Sequence, residues 1–306
     1  MNHFSCKPFA SGYRSNRPHI RGCLVIGVLI LCLTGVPVGL AQQSPPSSVY
    51  LIGVGPGDPD LITLRAIEAI RKSDVIFCSP GIAQKFTEYL QGKTVHEGFW
   101  RLFPYYGADI SKLEGQERAE AEAIAARRNQ FIRMVRDAVA AGQTVAFLDN
   151  GDPMIYGPFS WTLEEFEDLK PKVIPGVSAF NAGNAALCKS VTVSSDTKSV
   201  ILTAMDWPGK TDTIDKLSTL RCSMVIFTMR AEFEDLIRRL SVNWPPDTPV
   251  AIVKFAGYKD TEEVIQSTLG KVLDEVRGSD LPFEYMIYCG DFLKFRYKEA
   301  KVPPPH

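Results

Sequence analysis

Three short loops hold the residue types best suited to chemistry in this chain. The first is Gly53-Val54-Gly55-Pro56-Gly57-Asp58-Pro59-Asp60, between an apolar run and a helical pattern. Glycines let a ligand approach the backbone, and a helix start offers free N–H groups. The Lys-Ser/Thr ending of a phosphate-binding P-loop is absent. So is the third glycine of a dinucleotide fingerprint, and Pro56 removes a backbone donor. The second loop is Asp149-Asn150-Gly151-Asp152-Pro153-Met154-Ile155-Tyr156-Gly157. Asp152 reads either as a ligand acceptor or as the cap of an Asp-Pro turn. The third is Ile174-Pro175-Gly176-Val177-Ser178-Ala179, opening the small-residue stretch Phe180-Asn181-Ala182-Gly183-Asn184-Ala185-Ala186. Ser178 reads either as a helix cap or as a ligand contact.

Alternating elements must position these loops. Short apolar runs at 49–54, 74–78, 144–148 and 172–174 read as buried strands. Helical spacing occupies 61–72, 82–90 and 116–141, the last ending at Gly142. Further strands are expected at 199–204, 224–229, 250–255, 263–269 and 284–289, with helices at 178–187 and 232–240. This alternation implies an α/β fold of two α/β domains, with helices covering the sheets. The expected division is an N-terminal domain over 49–160 and a C-terminal domain over 161–306, with a hinge between 159 and 172. Open α/β sheets bind ligands beyond the carboxyl ends of their strands, where all three loops lie.

The first 41 residues differ from the rest. They hold Lys7, Arg14, Arg17 and Arg21, no Asp or Glu, then an apolar run over 22–41 ending Val38-Gly39-Leu40-Ala41. This is the pattern of a secretory signal peptide, and its length also suits a membrane anchor. The expected location is therefore exported, periplasmic, or anchored to the inner membrane by residues 22–41. Residues 42–48 read as a linker. Cleavage after Ala41 leaves 30 Lys plus Arg against 35 Asp plus Glu, a net charge of −5. Mild acidity argues against a nucleic-acid partner. No metal site is evident, since His96 and His306 are the only histidines after the leader. Cys78, Cys188, Cys222 and Cys289 are expected as buried thiols rather than disulfides.

The loops, in this order, resemble the tetrapyrrole methylase family, the class III S-adenosylmethionine-dependent methyltransferases. Met224-Val225-Ile226-Phe227-Thr228-Met229 and Thr248-Pro249-Val250-Ala251-Ile252-Val253-Lys254-Phe255-Ala256-Gly257 also fit. The resemblance runs from Val49 to about Phe292. It implies two α/β domains with S-adenosyl-L-methionine in the cleft between them, a small-molecule tetrapyrrole substrate and a homodimer. Carried over by motif, the cofactor contacts are Pro56, Asn150, Gly151, Asp152, Ile155, Ser178, Ala179, Met229 and Ala256. No catalytic residue is assigned. Ser79 stands where some members carry an acid, and Cys78-Ser79-Pro80-Gly81, together with Asp152-Pro153-Met154-Ile155-Tyr156 and Phe159, looks more like the precorrin-2 C20-methyltransferase branch. The aromatic segment 99–106, with Arg101, reads as a macrocycle face, as core or as a dimer interface. The alternative to catalysis is an exported, non-catalytic tetrapyrrole- or metabolite-binding protein that keeps the fold.

Overall fold

The computed structural model describes residues 48–227 and 233–299. The chain divides into Met1–Pro45 and a compact unit, Pro46–His306, to which every element below belongs. The leader and Met229 lie outside the described residues.

The first sheet contains β1 (Val49–Gly53), β2 (Val75–Cys78), β3 (Thr94–Glu97), β4 (Val145–Asp149) and β5 (Lys172–Ile174). All pairings are parallel, in the order β3-β2-β4-β1-β5. The period-2 alternation of strand side chains divides its apolar residues between two faces. Val49, Leu51, Val75, Phe77, Val145 and Phe147 pack on one face against Phe131, Val135 and Ala138 of the helix Gly115–Ala140. Ile52, Val54, Ile76, Cys78, Ala146 and Leu148 pack on the other. Their partners include Ala66, Ala69 and Ile70 of the helix Leu64–Lys72, together with Ile82, Phe86 and Leu90. Strands buried on both faces read as continuous apolar runs, and these do.

The second sheet contains β6 (Val200–Ala204), β7 (Ser223–Phe227), β8 (Pro249–Lys254), β9 (Glu263–Thr268) and β10 (Tyr285–Cys289). Its order is β6-β7-β10-β8-β9, parallel only between β6 and β7. Phe233, Leu236, Ile237 and Leu240 of the helix Phe233–Asn243 cover one face. The helix Ala179–Leu187 packs toward the other, where Val225, Ala251, Val253 and Tyr288 lie. Its small residues have a definite reason. A Cβ on Gly183 would come within 2.2 Å of the Tyr288 hydroxyl oxygen, and that hydroxyl donates to the Phe180 carbonyl at 3.2 Å.

Two expectations change, and two strands were not placed in their sheet from the sequence. β5 joins the first sheet, beside β1. Lys172–Ile174 is too short to show its partner from sequence. The helix expected over 82–90 is two, Pro80–Lys85 and Thr87–Leu90, because Phe86 leaves helical geometry at ψ 21. β3 was hidden in Thr-Val-His-Glu, an edge strand with a single aliphatic residue. Cys188 is exposed, unlike the buried Cys78, Cys222 and Cys289. It occupies the left-handed position that ends the helix Ala179–Leu187, at φ 50.

Candidate active site

The three loops meet because β4, β1 and β5 are neighbours, all pointing the same way. Val54 N–H donates to the Asp149 carbonyl at 2.9 Å. Gly55 and Gly151 exchange backbone hydrogen bonds of 3.2 and 2.9 Å. A Cβ on Gly176 would lie 2.1 Å from the Gly151 carbonyl oxygen and 2.9 Å from the Gly53 carbonyl carbon. The three backbones therefore touch directly, which only glycine permits here.

Asp152 joins two of the loops. One carboxylate oxygen accepts from Met154 N–H at 2.8 Å, the other from Gly176 N–H at 3.1 Å. Of the two roles read from sequence, the turn cap is present, and the second bond ties the loop after β4 to the loop after β5. Ser178 is buried, and its hydroxyl accepts from Phe180 N–H at 3.2 Å as a helix cap. Ser79 caps the helix Pro80–Lys85, accepting from Ile82 N–H at 3.3 Å.

The loops border a cleft between the two sheets with a cavity volume of about 240 Å³. That is just below the ~300–1,000 Å³ usual for small-molecule sites. Pro56, Asn150, Gly151, Asp152, Ile155, Ser178, Ala179 and Ala256 all line it. The structure thus gathers around one cavity every sequence-derived contact except Met229, which is outside the described residues. Ser79 and Trp100 line it too. Of the aromatic segment, Phe99, Leu102 and Tyr106 pack into the core of the first sheet, against which Trp100 also rests, while Arg101 and Phe103 are exposed. Arg128 holds that segment by donating to the Leu102 and Pro104 carbonyls at 2.7 and 2.8 Å.

Several lining residues were not among the sequence-derived contacts. Phe227 ends β7, and its ring meets Tyr156 at 5.0 Å between centroids. Lys85 Nζ donates to the Gly57 carbonyl at 3.0 Å and to the Tyr258 hydroxyl at 3.1 Å. Burial draws its pKa down, opposed by Glu284 and Asp58. Burial and the neighbouring Glu284 carboxylate push the Tyr258 hydroxyl up to about 12. Asp149, the last residue of β4, is buried in the cleft wall. Desolvation raises its pKa from 3.8 to about 7, while the Phe159 N–H, donating at 3.3 Å, acts in the opposite direction. Among the described residues, no group of three His, Cys, Asp or Glu side chains could hold a metal ion.

The sequence model of the tetrapyrrole (corrin/porphyrin) methylases matches residues 48–273, which contain both sheets up to β9 and every glycine loop. The chain belongs to this family. A cobalt-precorrin-4 C(11)-methyltransferase of Priestia megaterium is 25% identical over 248 residues, covering 79% of this chain and 87% of the relative. The structure of a cobalamin-biosynthetic cobalt precorrin-4 methyltransferase superposes with a TM-score of 0.64. It has 23% identity and covers 82% of this chain and 99% of that one. A Thermus thermophilus uroporphyrin-III C-methyltransferase, solved with bound S-adenosylhomocysteine, has a TM-score of 0.57 and 19% identity, with 80% and 98% coverage. As a tetrapyrrole methylase, the protein has the family's two-sheet α/β architecture.

Proposed function

We propose that this cleft binds S-adenosyl-L-methionine and that the protein transfers its methyl group to a carbon of a tetrapyrrole. One observation carries the reading. The loops after β4, β1 and β5 close on each other through glycine backbones and leave small residues facing one cavity. A folded adenosyl ligand needs such a surface, with close backbone approach and no bulky side chains. The family match and the relatives' names support the same chemistry.

When bound, the cofactor supplies a methyl group already activated on a sulfonium, so the chain needs no covalent nucleophile. Its own residues align and shield. Asp152 fixes the loop after β4 against Gly176, while Asn150, Gly151 and Ile155 present the cofactor surface. Ser178 and Ala179 close the side after β5, and Pro56 and Ala256 close the opposite wall. Trp100, Tyr156 and Phe227 give the remaining space an apolar, aromatic lining suited to a flat macrocycle. Alignment of carbon, methyl and sulfur supplies most of the acceleration.

Calorimetric titration with S-adenosylhomocysteine tests the cleft. Saturable binding with one site per chain is expected, and no heat at millimolar ligand sinks the reading. Two observations favour different ring carbons. The relatives support C11, whereas Cys78-Ser79-Pro80-Gly81 leans to C20. Mapping the methylated carbon of the product separates them. The same proposal includes a leader that exports or anchors the body, and a homodimer. A fusion of residues 1–48 to a reporter active on one side of the membrane tests the leader. Sedimentation equilibrium tests the dimer.

A further inference from the structure

We propose that the Lys85 ammonium is the subsite for a carboxylate of the substrate macrocycle and sets which tetrapyrroles the cleft accepts. This rests on the functional reading above and deepens it. The charges around the cavity are unequal. Among the described residues that line it, Asp152 and Glu284 are carboxylates, Asp149 holds its proton up to about pH 7, and Lys85 is the only basic side chain. The cofactor carries a sulfonium and an ammonium against one carboxylate, so an acidic wall favours it. A macrocycle bearing several carboxylates meets the opposite field, and Lys85 is the one attractive full charge among the described residues of that wall.

Lys85 is also held for this task. It is half-buried at the end of the helix Pro80–Lys85. Both its hydrogen-bond partners, the Gly57 carbonyl and the Tyr258 hydroxyl, are uncharged. An ammonium has three N–H donors, so these bonds fix its direction and leave one donor over. Glu284 and Asp58 act on this cation from nearby, but among the described residues it lacks the direct compensation that a hydrogen-bonded carboxylate would give. A substrate carboxylate supplies it, at a position already ordered before binding.

The test is titration of the full chain with uroporphyrin III, a multiply carboxylated porphyrin, by fluorescence, and with S-adenosylhomocysteine by calorimetry. Lys85→Met is expected to weaken uroporphyrin binding about tenfold or more and to leave S-adenosylhomocysteine within about twofold of the wild type. Lys85→Arg keeps the charge and is expected to restore most of the porphyrin affinity. Should Lys85→Met fail to fold, the wild-type chain still decides the matter. Bound uroporphyrin III should protect Lys85 from amine acetylation, read by mass spectrometry. Unchanged porphyrin affinity in Lys85→Met, or equal acetylation with and without porphyrin, overturns the subsite. A loss confined to S-adenosylhomocysteine also overturns it, because the carboxylate is then the cofactor's. Failure of the wild type to bind either ligand overturns the functional reading itself.

Discussion

At the scale of single residues, the most consequential group is Asp149. Its folded pKa of about 7 exceeds its ordinary value of 3.8 because ionisation occurs in a desolvated wall. The folded state therefore holds a proton that the unfolded chain has released between those values. The stability associated with that proton is fully present below about pH 4 and is lost as pH rises to about 7. Asp149→Asn removes the ionisation and can still accept from Phe159 N–H. It is expected to raise stability by roughly 2–4 kcal/mol at about pH 8 and by little near pH 4. Calorimetric unfolding at the two pH values checks this; an equal change at both contradicts it. Asp149 was quoted in the sequence as the start of a loop, but its burial was not legible there. A terminal strand Asp looks the same whether it meets water or a cleft wall. Asp152 was legible as a turn residue, while its bond to Gly176 N–H required knowing that β5 lies beside β1.

At the scale of elements, the loops depend on backbone contact. Gly176→Ala places a methyl 2.1 Å from the Gly151 carbonyl oxygen, between two backbones that cannot yield like a flexible side chain. It is expected to cost on the order of 2 kcal/mol or more and to abolish S-adenosylhomocysteine binding. Gly81→Ala is the control. Its Cβ meets nothing within 4 Å, so stability should stay within about 0.5 kcal/mol. Chemical denaturation of both variants tests the pair; equal stabilities would show that the loops can part without cost. The strand–glycine–helix character of these loops was legible because glycine and proline mark such turns locally. The second sheet was less so. Its strands were found, but the antiparallel pairing of β10 between β7 and β8 is a long-range choice that periodicity does not encode. That pairing brings Glu284, Tyr285 and Met286 to the cleft, and sequence reasoning missed them for this reason.

At the scale of the whole molecule, the cleft exists because loops from one sheet dock on turns of the other. Asp58 N–H donates to the Gly257 carbonyl at 3.0 Å, Lys259 N–H donates to the Asp58 carboxylate at 2.9 Å, and Lys259 pairs with Asp60 at 2.7 Å. Residues some 200 positions apart thus frame one cavity, a juxtaposition the family resemblance implied and local pattern alone did not. Lys85 and Tyr258 belong to this frame, and their absence from the sequence-derived contacts has the same cause: each sits in an ordinary stretch until the two sheets meet. The proposed leader and the proposed activity set two demands on this molecule, export or anchoring on one side and access to a cytosolic cofactor on the other. The reporter fusion addresses the first. For the second, the most direct measurement is transfer of a labelled methyl group from S-adenosylmethionine to reduced uroporphyrinogen or a precorrin by the purified full chain. Label is expected in the macrocycle, with S-adenosylhomocysteine formed in equal amount. Cofactor binding with no label in any tetrapyrrole offered would contradict it and leave a binding protein that keeps the methylase fold.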